Sequence, residues 1–224
     1  MRLGCRLPRF SGGYLLKAYI QQSNADIAAA ATTLCQLLTF EPNNGSAHSN
    51  LGYCYLFTGQ QELARKHLRL GRQYNPDMVN CLSLAEACRM GGDTKETSNL
   101  LDGMERTLAI PGIEDECFTG GEWLWNYLPE KAGDTESQRN TIRCYTMDHK
   151  RAILRISQGM LKAGSGEYGP ALEKFRECLK LEPLYRSFLA NKLRATAVCG
   201  KNITPERQAW MQAVAAKLDD QENL

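Results

Sequence analysis

Residues 50–76 read NLGYCYLFTGQQELARKHLRLGRQYNP. Apolar residues recur at helical spacing on both sides of a Thr58-Gly59 break, and Asn75-Pro76 closes the segment. The stretch therefore predicts two short helices joined by a turn. Yet Gly52 and Gly71 fall inside the two helical patterns, where glycine costs about 1 kcal/mol relative to alanine. Gly71 follows Ala64 by seven residues, which puts both on one helix face two turns apart. Small residues at such positions let two helix backbones approach closely, and the closer packing offsets the lost propensity. Both glycines are thus read as packing contacts of a helix hairpin, with no catalytic part.

The same punctuation recurs along the chain. Pro42, Pro76 and Pro111 are spaced by 34 and 35 residues, and helix signals dominate while strand alternation is nearly missing. In the second unit Leu51-Gly52, Tyr55, the turn glycine Gly59, Ala64 and Pro76 fall at set intervals. With a period near 34, these residues resemble the helix–turn–helix pattern of the tetratricopeptide repeat family. His48 stands where that pattern has tryptophan, and Leu68 where it has phenylalanine. A fourth unit, Ile153 to Pro183, supplies Gly159, Gly166-Glu167-Tyr168, Ala171, Phe175 and Pro183 at matching places, with Lys162 in the tyrosine slot. The first unit keeps Tyr14, Ala18, Ala30, Leu34 and Pro42 but has Lys17 for leucine. The third keeps Leu84-Ala85, Cys88, Gly92 and Leu101, with Thr97 in the small slot.

The resemblance covers roughly residues 12–110 and 151–185 and implies an all-α, right-handed solenoid of helix pairs. The expected organisation is three repeats over 1–110, an irregular insertion or degenerate repeat over 111–150, and a fourth repeat with a capping helix pair over 151–224. Within the insertion, Gly120-Gly121 and Pro129 break an ordinary helix pair. A short helix is expected at Glu122–Tyr127 and a polar loop at Glu130–Glu136. A helix from about Ser137 should then run into the fourth unit. Thr204-Pro205-Glu206 is an N-cap with proline at the first helical position, opening the last helix of the cap.

Composition narrows the functional classes. Hydrophobic residues are 43% and charged residues 23% of 224, with 27 basic and 25 acidic residues for a formal net charge of +2. That balance provides no electrostatic case for nucleic acid. No apolar run approaches the roughly 18 residues that span a membrane. The amino-terminal stretch MRLGCRLPRFSGGYLLKAYI has no continuous apolar core and is read as a cytoplasmic terminus. Nine cysteines form no C-x-x-C pair, and most occupy small apolar positions in helical patterns. They fit buried thiols in a reducing compartment. His48, His67 and His149 are isolated in sequence, and Gly91-Gly92-Asp93 and Gly164-Ser165-Gly166 lack the context of phosphate loops. No catalytic set, metal or cofactor is expected.

The functional expectation comes from the resemblance. In this family the concave face is lined by residues at fixed slots of each first helix. Here those slots hold Leu15, Leu16 and Tyr19; Ser49, Asn50, Tyr53 and Phe57; Leu82, Ser83, Glu86 and Met90; and Ile156 and Met160. Co-chaperones in the family clamp an acidic carboxyl terminus with basic residues and asparagines at such slots. Only Asn50 matches, while Leu15, Tyr19, Val79 and Ser83 do not. An apolar or amphipathic segment of a protein partner suits this lining better. Trp123 and Trp125 of the insertion add aromatic anchors, either for a partner or for packing onto the array. The implied role is a non-enzymatic adaptor or chaperone. Secretion-type chaperones for hydrophobic clients, a peptide-sensing regulator and a helper of an enzyme complex are the alternatives, and a homo-oligomer is left open.

Overall fold

A computed structural model describes residues 10–76, 78–111, 135–199, 203–221 and 224. Among them are ten helices: α1 Ser11–Ser23, α2 Ile27–Leu38, α3 Gly45–Phe57, α4 Gln61–Tyr74, α5 Met78–Met90, α6 Thr94–Leu108, α7 Thr135–Gly164, α8 Tyr168–Leu181, α9 Tyr185–Cys199 and α10 Pro205–Asp219. No strand occurs among the described residues. The protein is all-α, built from successive tetratricopeptide-like helix pairs: α1 with α2, α3 with α4, α7 with α8, and α9 with α10.

The period seen in sequence is a repeated backbone event. Ala25, Gly59, Gly92 and Gly166 all take a positive φ, between 60° at Ala25 and 82° at Gly92. The first three are spaced by 34 and 33 residues. Each turn closes with the same two bonds. The amide after the left-handed residue reaches back five residues: Asp26 to Gln21, Gln60 to Tyr55, Asp93 to Cys88 and Glu167 to Lys162, all at 2.8–2.9 Å. The left-handed residue's own N–H bonds the carbonyl three before it. This is the Schellman closure, which satisfies the last carbonyls of the first helix and turns the chain back. Side-chain caps then start several following helices, Asp26 accepting from the Ala29 N–H at 3.1 Å and Asn44 from Ala47 at 2.8 Å. Thr204 caps α10 by accepting from Arg207, with Pro205 at its first position.

The interior glycines sit at helix crossings. A Cβ on Gly52 would lie 2.5 Å from Leu68 Cγ, and one on Gly71 would lie 2.1 Å from Ser49 Oγ. Gly159 abuts the Phe175 ring at 2.3 Å in the same sense. Ala64, Leu68 and Phe175 are fully buried at these contacts.

The chain divides into two compact units, residues 1–97 and 98–224, with the border inside α6. In the first, a core cluster joins Ala18, Ala30, Leu34, Leu37, Ala47, Leu51 and Cys54. In the second, Ala152, Ile156 and Met160 of α7 share a cluster with Phe175 of α8, Leu189 and Leu193 of α9, and Met211 and Leu218 of α10. The helix expected from about Ser137 starts at Thr135 and runs unbroken to Gly164. The helix anticipated at Glu122–Tyr127 lies outside the described residues.

Candidate functional site

In the first unit α1, α3 and α5 are tied side by side. Gln22 on α1 donates from Nε2 to the Asn50 carbonyl and to Cys54 Sγ on α3, both at 3.3 Å. The Tyr53 and Ser83 hydroxyls meet at 3.0 Å between α3 and α5, and Ser83 also bonds the Val79 carbonyl at 2.7 Å. Buried faces of these helices point at α2 and α4, so the opposite faces line up on one surface. That surface exposes Leu16 (60%), Tyr19 (65%) and Ile20 (50%) of α1, Tyr53 (37%) and Phe57 (75%) of α3, and Val79 (63%) and Met90 (39%) of α5. Single exposed apolar residues are ordinary, but so many on three neighbouring helices make this the candidate surface.

The remaining slot residues divide between this face and the interior. Asn50 is half-buried with its amide bonded to the Ser46 carbonyl at 3.0 Å. Leu82 and Glu86 are half-buried, and Arg89 holds Glu86 through two bonds of 2.8 and 3.0 Å. Ser49 is buried against Gly71, and its Oγ has no partner among the described residues. Ile156 and Met160 depart from expectation. They are 1% and 0% exposed, inside the core that α9 completes over α7, so neither can contact a partner. Trp123 and Trp125 lie outside the described residues. Ile20, which the slot pattern passed over, belongs on the exposed face because it follows Leu16 by one helical turn.

The histidines are not isolated in space. His48 and His67 place their Nδ1 atoms 2.9 Å apart, and His48 Nε2 lies 2.9 Å from the Pro42 carbonyl. A carbonyl accepts only, so His48 carries its proton on Nε2 and its Nδ1 accepts from the His67 Nδ1–H. Tyr74 stacks on His48 with ring centres 5.8 Å apart, and Tyr55 packs against His67 at 5.4 Å. Burial, helped by His48 and Lys66, pushes His67 down to about 4. Two nitrogens this close sit as hydrogen-bond partners rather than as ligands of one metal ion, since bonds of about 2.0–2.1 Å at a tetrahedral angle would set them about 3.3 Å apart. A hydrogen-bonded polar stack thus occupies the slot where the tetratricopeptide pattern has tryptophan.

Three thiols are core groups. Cys54, Cys88 and Cys178 are buried, and burial raises all three, Cys88 and Cys178 to about 12. A nucleophilic cysteine needs the opposite shift. In the second unit Arg155 bonds Glu105 at 2.6 Å, Gln158 at 2.7 Å and Glu177 at 2.7 Å, which links α6, α7 and α8. Burial would raise Glu105, but hydrogen bonds from Arg155 and Gln158 overcome it and hold the carboxyl below its usual range. One Nη and the Nε of the guanidinium are engaged by these partners, and the network acts as a structural tie.

Solved structures share this architecture. One titled "MamA RS-1 ArsTM double mutant" matches with a TM-score of 0.51 at 10% identity, covering 96% of this chain and 97% of that one. A crystal structure of MamA gives 0.49 at 12% identity, over 91% of this chain and 95% of that one. Likeness at such identity is one of fold. No family model matches the sequence. No curated protein matches it either. Among the described residues no helix is long and apolar enough to cross a membrane.

Proposed function

We propose that the chain is a non-catalytic binding protein whose first unit takes an apolar segment of a partner protein on the α1–α3–α5 face. One observation carries this reading: the exposed row of Leu16, Tyr19, Ile20, Tyr53, Phe57 and Val79 over three helices that are fixed to one another by side-chain bonds. The rigid helices keep the face formed before binding, so little ordering is required of the receptor. The half-buried Asn50 amide adds polar character to this face, while recognition rests on shape and apolar contact. The role that follows is an adaptor, or a chaperone shielding an apolar client. Three buried, protonated thiols suit a reducing compartment, and the cytoplasm is the proposed location.

The test uses the intact chain immobilised as wild type, as Tyr53→Ala/Phe57→Ala, and as Arg72→Ala on the exposed side of α4. Wild type and Arg72→Ala should retain the same protein in stoichiometric amount, and the double variant should lose at least about tenfold of it at unchanged helical circular dichroism. Equal recovery by a folded Tyr53→Ala/Phe57→Ala variant removes the α1–α3–α5 face from consideration.

A further inference from the structure

We draw no further inference here: the strongest candidate, the exposed apolar patch of Phe188 and Val198 on α9, carries nothing, because Arg194 beside it is already paired with Asp219 of α10 and nothing in the structure shows what covers it.

Discussion

At the scale of single residues, the repeat is written in which positions tolerate a side chain. Three of the four left-handed turn positions are glycine, and the fourth is Ala25 at φ 60°. A left-handed alanine costs about 1–2 kcal/mol, of which glycine's greater unfolded-state freedom returns part. Ala25→Gly should therefore raise stability by roughly 0.5–1 kcal/mol, seen as a higher urea midpoint at unchanged slope. Gly159 presents the reverse case. Alanine there gains about 1 kcal/mol in helix propensity. Its Cβ, however, would meet the Phe175 ring at 2.3–2.6 Å, and that ring is 0% exposed with nowhere to swing. Overpacking of this kind costs about 1–3 kcal/mol, so Gly159→Ala should lower the midpoint despite the better helix former. A stabilised Gly159→Ala would show that α7 and α8 are not pressed together as described.

At the scale of elements, the α3–α4 pair contains a proton-linked contact that sequence spacing concealed. His67 is pushed down to about 4, from an unfolded value near 6.5. Between these values the unfolded chain holds more protons than the folded one, so stability falls as pH drops from 6.5 towards 4 and levels off below. With His67 half-buried, about 1–2 kcal/mol is the expected size after screening. Carboxylates titrate in the same window, so the measurement is a difference. His67→Gln can still donate to His48 yet cannot titrate, and its urea stability should fall less than wild type's between pH 7 and pH 4.5. Parallel pH profiles for the two proteins would place His67 outside this linkage. The pair was illegible beforehand because its members lie 19 residues apart on different helices. By contrast, Gly52, Gly59 and Ala64 were legible because each performs its task within one hairpin. Ile156 went astray for a related reason. It takes the slot that Ser49 takes in the second pair, and both face the interior, a direction set by the neighbouring helices rather than by local spacing.

At the scale of the whole molecule, the near-neutral total hides an uneven distribution of charge. From Ser11 to Phe57 only Lys17, Asp26 and Glu41 are formally charged, whereas residues 183–205 hold four cations and no anion. The overall class was legible because repeat period and apolar pattern are summed over many residues. The exposed apolar side chains of α9 were not, because they emerge only once α9 is seen to bury Leu189 and Leu193 and leave Phe188 and Val198 in solvent. With so few charges on α1 and α3, the α1–α3–α5 face should be nearly indifferent to salt. Capture of the partner on α1, α3 and α5 depends on apolar area, which added salt does not screen. Raising salt from about 50 to 500 mM shortens the Debye length several-fold and weakens contacts made by exposed cations. Over that range, partner recovery on the α1–α3–α5 face should stay within about twofold. Recovery on this face that collapses with salt would mean that Lys17 and its few charged neighbours dominate recognition there. The exposed row of Tyr19, Tyr53 and Phe57 would then be incidental to binding.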